Sequence, residues 1–166
     1  MNDTIIVADS GPLIALGRIE FFPLLTQLLG KIIIPEMVAK ECTSNSSRPG
    51  AKAIQNAIEQ KIISVYINPE DDQFQKLSLL LGQGEAAAIA LACILNTRLL
   101  IDEKLARSAA ARLNLKVIGT AGVLLLAKKK GLIPAVLPLV QQLKHSGYYL
   151  ADSLMDEVAK IAGENF

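Results

Sequence analysis

Short apolar runs alternate with longer segments of helical periodicity along this chain. Four runs rich in aliphatic and β-branched residues predict strands, at Thr4–Ala8, Lys31–Ile34, Arg98–Ile101 and Lys116–Ile118. A fifth run, Ile62–Ile67, predicts a weaker strand. Because these strands are apolar throughout and alternate with helices, the pattern predicts an α/β fold. We expect a three-layer α/β/α sandwich around a central, mostly parallel sheet of four to five strands.

The segments between the strands carry apolar residues at helical spacing. They predict helices over Pro12–Leu16, Phe21–Leu29, Pro35–Cys42, Ala51–Gln60, Asp71–Leu81, Glu85–Leu95, Glu103–Leu113, Ala121–Lys130, Pro134–His145 and Asp152–Ala162. The helix over Glu85–Leu95 is apolar almost all round, as expected of a buried helix. The polar stretch Thr43–Gly50 predicts a surface loop and no internal repeat is present, so we expect residues 1–166 to form a single domain.

Composition narrows the class of protein. Hydrophobic residues make up 51% of the chain, which is enough for a sizeable core. The net charge of +1 argues against a protein that coats nucleic acid, so any nucleic-acid contact should be local. Charge-free stretches are shorter than the roughly 20 residues that span a bilayer. The first seven residues lack a basic region and Asp9 interrupts the apolar run, so we do not expect a signal peptide. Cys42 and Cys93 lack a CxxC pattern, and we expect a cytoplasmic protein without membrane contact.

Four carboxylates are placed where a parallel sheet binds ligands, beyond the carboxyl ends of its strands. Asp9 follows the first predicted strand, and Asp102 ends the run "RLLID". Glu85 opens the buried helix directly after "GQG". Glu41 lies near the end of the helix that follows "KIIIPE". We therefore expect the four side chains to converge on one rim of the sheet.

Each of these acids also has a purely structural explanation. Asp9 or Ser10 would cap the first helix, Asp102 would cap the helix at Glu103, Glu85 would favour a helix dipole, and Glu41 would be solvated beside Lys40. As a group, however, clustered carboxylates repel one another unless protons or cations intervene. The chain has one histidine, so the set suits a hard cation such as Mg²⁺ or Mn²⁺ and disfavours zinc. Carboxylate-held ions can activate water against a phosphodiester without a covalent nucleophile.

Several stretches of this sequence resemble the PIN-domain nucleases. "IIVADSGPLIAL" looks like that family's first strand with its aspartate, and "IIIPEMVAKEC" looks like the second strand with the helix that carries a glutamate. "LGQGEAAAIALACILNTRLLIDEKLAR" looks like the stretch with the third and fourth acids. The continuation "LNLKVIGTAGVLLLAKKKGLIP" is similar to a prokaryotic branch long catalogued as a domain of unknown function. The resemblance covers nearly the whole chain.

The resemblance implies a Mg²⁺- or Mn²⁺-dependent ribonuclease. Carried over by position, Asp9, Glu41, Glu85 and Asp102 would form the catalytic quartet, and Asp9, Glu85 and Asp102 would hold the metal. Many family members are toxins that a small antitoxin inhibits, and they commonly dimerise. The resemblance therefore predicts RNA as the substrate, an antitoxin as a partner and a homodimer. The apolar segments Phe21–Leu29 and Pro134–Leu143 are candidates for assembly.

This sequence departs from the common family pattern at several positions. The first acid is followed by Ser10-Gly11, the third acid is Glu85 where Asp is common, and Leu100 stands where Thr is common. These departures motivate an alternative in which the protein is a weakly active or inactive module that binds RNA or a protein. A nucleotide-binding Rossmann domain has little support because no GxGxxG follows the first strand. A phosphatase with an aspartyl nucleophile has still less, because Gly11 stands where a second acid is needed.

Substrate contacts are predicted beside the acids. Lys104 and Arg107 are three residues apart on one predicted helix and can share a face toward RNA phosphates, although ordinary solvated charge explains them equally well. Ser10 adjoins the first acid, and Thr120 either orients a water in the site or caps the next helix. Glu103 is expected to point elsewhere on its helix. Aromatic residues make up 4% of the chain, so a base-stacking platform is not expected.

Overall fold

The computed structural model describes residues 4–165, which contain five strands. They are β1 (Ile5–Ala8), β2 (Lys31–Pro35), β3 (Ile63–Tyr66), β4 (Arg98–Leu100) and β5 (Val117–Ile118). All pairings are parallel, and the strand order is β3-β2-β1-β4-β5. The predicted parallel sheet is confirmed, including its weakest strand.

The strand order creates a crevice beside the central strand. The chain begins at β1, moves outward through β2 to β3, and then returns to the other side of β1 for β4 and β5. The connection after β1 leads to β2 on one side, and the connection after β4 leads to β5 on the other. The point between β1 and β4 where the direction changes is a topological switch point, and parallel sheets bind ligands there. Ala8 pairs with Leu100, and the backbone N–H of Asp9 donates to the Leu100 carbonyl at 2.9 Å. The ladder thus holds the ends of the two strands side by side.

Helices connect the strands and cover the sheet. They are α1 (Ser10–Arg18), α2 (Phe22–Leu29), α3 (Glu36–Thr43), α4 (Ala51–Glu59), α5 (Asp72–Ser78), α6 (Gln83–Leu95), α7 (Lys104–Arg112), α8 (Thr120–Lys129), α9 (Leu137–His145) and α10 (Asp152–Ala162). The predicted helices are all present, with small differences at their ends. Pro35, expected as a first helical residue, has an extended backbone with ψ of 157° and instead ends β2.

The sheet is covered on both faces. Every residue of Ile6–Ala8 in β1 and of Ile32–Pro35 in β2 is buried, although successive side chains in a strand point to opposite faces. Helix α6 contacts β1, β2 and β4. Its buried run Ala86–Ala92 is largely alanine, and these small side chains let the helix lie close to the sheet. This arrangement is the predicted α/β/α sandwich, and α6 brings Glu85 to the end of β1.

The last two helices frame a short connection that matters for the site. Residues 146–151, which we call the strap, join α9 to α10. Beyond α10, the Glu164 carboxylate accepts hydrogen bonds from the backbone N–H groups of Val136 and Leu137 at 2.9–3.1 Å. Lys128 pairs with the same carboxylate at 2.8 Å. The C-terminal segment is therefore fastened to α8 and to the start of α9.

No helix within residues 4–165 combines the length and apolarity needed to cross a membrane.

Candidate active site

A cavity of about 900 Å³ opens at the switch point between β1 and β4. The side chains around it include all four predicted acids and both predicted cations: Asp9, Glu41, Glu85, Asp102, Lys104 and Arg107. Ser10 and Thr120 also line the cavity. The structure thus brings the eight residues singled out from the sequence to one place. Their roles in binding or catalysis are taken up under the proposed function.

Asp9 is the most deeply buried of the four acids, with 5% of its surface exposed. It occupies the N-cap position of α1, but its side chain accepts no capping hydrogen bond, and its buried Oδ1 has no partner. Burial is the main reason that the pKa of Asp9 rises from 3.8 to about 7. The charges of Glu85, Glu41 and Asp102 raise it further, against the N–H of Ser10. Helix capping therefore does not explain this carboxylate.

Glu85 lies in the first turn of α6 and carries another unpartnered carboxylate oxygen, in addition to Oδ1 of Asp9. Its Oε2 is buried without a hydrogen bond. Burial raises the pKa of Glu85 above 4.5, and the neighbouring carboxylate of Glu103 raises it further. An acid placed only to favour the helix dipole would instead be solvated. Glu103 also lines the cavity, so the expectation that it points elsewhere is wrong.

Asp102 and Glu103 are adjacent acids with different hydrogen-bond partners. Glu103 is the N-cap of α7, and its Oε2 accepts a hydrogen bond from the N–H of Ala106 at 2.7 Å. Asp102 is therefore not needed as a cap, which excludes the structural explanation considered from the sequence. Its Oδ1 accepts from the backbone N–H of Thr120 at 2.7 Å, and its Oδ2 accepts from the Thr120 hydroxyl at 2.6 Å. Asp102 thus lines the cavity with both of its oxygens held by Thr120.

Thr120 follows β5 and fixes the orientation of Asp102, which follows the neighbouring strand β4. It is the first residue of α8, and only 2% of its surface is exposed. The N-cap of α8 is Gly119, so the capping role considered for Thr120 is excluded. Within residues 4–165, the buried polar and charged residues are Asp9 and Thr120. Both lie at this cavity, which sets it apart from the apolar core around it.

Glu41 reaches the cavity from α3 because α6 offers no obstructing side chain. A Cβ atom placed at Gly84 would overlap the Glu41 carboxylate. Glu41 is exposed, unlike Asp9. Its neighbour Cys42 is buried, and burial together with the charges of Asp9 and Glu41 raises the pKa of the thiol to about 12. The thiol is therefore neutral and is no nucleophile at physiological pH.

The two cations approach the acids from α7. Lys104 is exposed at the first position of the helix, and Arg107 is partly buried one turn later. A Cβ atom at Gly119 would lie 2.5 Å from Arg107 Nη1 and 2.8 Å from Asp102 Oδ1. The glycine therefore leaves room for both groups at the same spot. Arg107 therefore lies beside Asp102, and its contact with RNA stays a prediction.

Sequence reasoning missed the contribution of the strap. Tyr148 donates its hydroxyl to Asp102 Oδ2 at 2.5 Å, although 46 residues separate the two. Arg18 Nη1 donates to the carbonyl of Ser146 at 3.2 Å and holds the same segment from α1. Tyr148 and Tyr149 both line the cavity. The available signal was local, since two of the chain's three tyrosines stand together directly after a glycine.

The donor chemistry of the cavity fits a hard cation. Asp9 Oδ1 and Glu85 Oε2 are buried carboxylate oxygens without a donor, and oxygen is the ligand that Mg²⁺ and Mn²⁺ prefer. No three His, Cys, Asp or Glu side chains of residues 4–165 are grouped closely enough to hold a metal ion. The residues present therefore match a cation by type, and ligation by three of them requires side-chain adjustment.

Comparison with known proteins assigns the fold family. A family model described as a PIN domain matches residues 5–164. A domain of a functionally unknown protein from Methanocaldococcus jannaschii DSM 2661 is similar over 70% of this chain and 90% of that one, with 18% identity and a TM-score of 0.47. A PilT N-terminus domain protein from Sulfolobus solfataricus P2 is similar over 89% of this chain and 98% of that one, with 12% identity and a TM-score of 0.40. No curated protein matches this sequence.

Proposed function

This chain belongs to the PIN-domain family, whose members are typically nucleases, and on that premise we propose that it is a Mg²⁺- or Mn²⁺-dependent endoribonuclease. One observation carries the proposal. Two buried, unpartnered carboxylate oxygens, on Asp9 and Glu85, face a cavity that also holds Glu41 and Asp102. Leaving such groups unsatisfied costs free energy, and a bound cation would remove that cost.

The chain's residues have separate tasks in this proposal. Asp9, Glu85 and Asp102 would hold the cation, with Glu41 completing the acidic quartet. Bound Mg²⁺ or Mn²⁺ lowers the pKa of water and neutralises charge on a phosphodiester. Thr120 keeps both oxygens of Asp102 oriented through its N–H and its hydroxyl.

The attacking group is proposed to be water. The chain's one histidine, His145, is exposed and binds the Gln141 carbonyl at 2.7 Å through its ring. It does not line the cavity, so Ser10 has no histidine beside it to act as a base. Lys104 and Arg107 would bind phosphates of the RNA strand at the side of the acids.

Calorimetry with Mn²⁺ tests the proposal directly. The wild type is titrated with MnCl₂ beside Asp9→Asn, and cleavage of an RNA oligonucleotide is followed in parallel. Asp156→Asn, at an exposed position of α10, is the matched control. We expect binding and cleavage in the wild type and the control, and loss of both in Asp9→Asn. Absence of Mn²⁺ binding by the wild type at millimolar concentration would refute the metal-dependent mechanism.

The biological setting is a further part of the proposal. The family resemblance supports a toxin of a toxin–antitoxin pair that is inhibited by a small antitoxin and acts as a homodimer in the cytoplasm. Induced expression is then expected to arrest growth, and Asp9→Asn is expected to remove the arrest. Light scattering on the purified protein measures its oligomeric state. Growth that continues while active wild-type protein accumulates would contradict the toxin role.

A second candidate function has its own support. Three hydrogen bonds already converge on Asp102, from Thr120 and Tyr148, and no ready group of three metal ligands is present within residues 4–165. These observations favour an inactive PIN-like module that binds RNA or a protein. RNA binding without cleavage, unchanged by Mn²⁺, would establish this candidate over the nuclease.

A further inference from the structure

The strap presents an aromatic surface at the rim of the carboxylate cavity. Tyr149 lines this cavity while 85% of its surface is exposed. Such exposure of a large aromatic side chain leaves most of its apolar area in water. Its neighbour Tyr148 is partly buried, because its hydroxyl is bound to Asp102. The two tyrosines therefore differ in role, one anchoring the strap and the other facing solvent.

The backbone that carries Tyr149 is fastened on both sides of the site. The Tyr148 hydroxyl is bound to Asp102, and the Tyr148 N–H donates to the Leu143 carbonyl at 3.0 Å. Arg18 holds Ser146 from α1. Helix α10 then begins at Asp152, three residues after Tyr149. These contacts restrain the strap, so binding at Tyr149 needs little ordering of the backbone.

The charges around Tyr149 indicate the class of occupant. Lys104 and Arg107 line the same cavity and are suited to phosphate groups. Tyr149 also lines this cavity and is largely exposed. A polynucleotide strand matches both features, because phosphates pair with cations while bases stack on aromatic rings. The two cations together with the exposed aromatic ring therefore favour nucleic acid as the occupant.

We propose that Tyr149 is a specificity-determining residue that stacks on a nucleobase of the RNA substrate. This inference rests on the proposed function, whose site it extends by a specificity-determining residue. Bases within an A-form duplex are already stacked on their neighbours and do not offer a free face. Only an unpaired base can lie against Tyr149. The proposal departs, at this one position, from the expectation that the chain has no base-stacking platform.

Binding measured without metal tests the inference independently of catalysis. A fluorescein-labelled single-stranded RNA and the same strand annealed to its complement are titrated in EDTA, and anisotropy is recorded. The variants are Tyr149→Ala, Tyr149→Phe and Tyr66→Ala. Tyr66 is the control because it is 38% exposed on β3 and does not line the cavity. Circular dichroism melts verify that each variant is folded.

The inference predicts a pattern across variants and substrates. Tyr149→Ala should weaken single-strand binding about 5- to 150-fold, the range expected for loss of one base-stacking contact. Tyr149→Phe should retain the affinity because it keeps the ring. Duplex affinity should be the same in all three variants as in the wild type. The Tyr66→Ala control should match the wild type on both RNAs.

Salt dependence separates stacking from charge. For single strands, each phosphate contact contributes about 0.7 to the slope of log affinity against log salt. Lys104→Gln should lower that slope by about this amount, whereas Tyr149→Ala should weaken binding at every salt concentration without changing it. A lowered slope in Tyr149→Ala would mean that the substitution disturbs charge placement, and this would overturn the stacking role.

The outcomes for the inference and for the proposed function are distinguishable. Unchanged single-strand affinity in Tyr149→Ala, or an equal loss on both RNAs, overturns the stacking role even where the wild type cleaves RNA. Tyr149-dependent binding by a wild type that neither binds Mn²⁺ nor cleaves RNA supports stacking and refutes the nuclease. A wild type that binds no RNA at 100 µM protein overturns the inference. A Tyr149-dependent complex with a protein partner in that case would identify the rim as a protein interface.

Discussion

Asp9→Asn is expected to stabilise the metal-free protein. The carboxyl is 5% exposed, and folding raises its pKa from 3.8 to about 7. Each pKa unit corresponds to 1.36 kcal/mol, so the ionised carboxylate destabilises the fold by about 4 kcal/mol above pH 7. Water entering the open cavity reduces this figure, which makes it an upper limit. Asparagine is neutral and of equal size, and its amide can donate to neighbouring carboxylates.

The raised pKa of Asp9 predicts that the wild-type protein becomes less stable as the pH rises. The unfolded chain loses the Asp9 proton near pH 3.8, whereas the folded protein keeps it up to about pH 7. Folding stability therefore falls as the pH rises through this window and is constant above it. Between pH 5.5 and pH 8 the wild type should lose about 2 kcal/mol relative to Asp9→Asn. Glu85 is present in both proteins, so the difference between them reports Asp9 together with its electrostatic coupling to the neighbouring acids.

Urea unfolding in EDTA at the two pH values measures the effect. We expect Asp9→Asn to be more stable than the wild type at pH 8, with a smaller advantage at pH 5.5. Saturating Mn²⁺ should stabilise the wild type by about 3 kcal/mol at 100 times its Kd and leave the variant unchanged. A variant that is less stable than the wild type at pH 8 in EDTA would refute the account of Asp9 as an unsatisfied buried charge.

Three further substitutions test other features of the molecule. Gly84→Ala replaces a helix glycine and displaces the Glu41 carboxylate, so Tm should be equal or higher. Mn²⁺ affinity measured by calorimetry should fall, and an unchanged affinity would mean that Glu41 does not contribute to the site. Thr120→Val removes the hydroxyl bound to Asp102 and should cost about 1 kcal/mol in urea unfolding; an unchanged free energy would contradict that bond. Glu164→Gln should cost about 1–2 kcal/mol at pH 7, because a charged cap of α9 is lost. Burial opposes the shift, but hydrogen bonds from Lys128, Val136 and Leu137 lower the folded pKa of this carboxyl below 4.5. The wild type should therefore lose its advantage as the pH falls through that lowered pKa, and an advantage that did not shrink on acidification would contradict the assignment.

The sheet and the convergence of acids follow from rules that act along the chain. Buried parallel strands lack polar alternation, so β1, β2 and β4 are visible as apolar runs, and the residues after them meet at one edge. Asp9 and Asp102 were therefore predictable from position alone. Glu85 was predictable because α6 is apolar on all sides and its first turn has to adjoin the sheet.

Other parts of the site depend on contacts that no local pattern encodes. Two adjacent acids, Asp102 and Glu103, compete for one capping position, and only the backbone angles of the turn decide between them. Tyr148 reaches Asp102 across 46 residues through a strap without periodicity. Its position depends on how α9 and α10 pack, which is a property of the tertiary structure. Sequence reasoning accordingly identified the acids and missed the groups that orient and cover them.

The central position of β1 has a consequence for the biosynthesis of this protein. Asp9 is synthesised well before the Leu100 carbonyl that pairs with its N–H and before the strap whose Tyr148 binds Asp102. At 5–20 residues per second, roughly 7 to 28 s separate the synthesis of Asp9 from that of Tyr148. A nascent or prematurely terminated chain thus contains the first acids without the strand that aligns them. The proposed hydrolytic centre is assembled only after the strap has been translated.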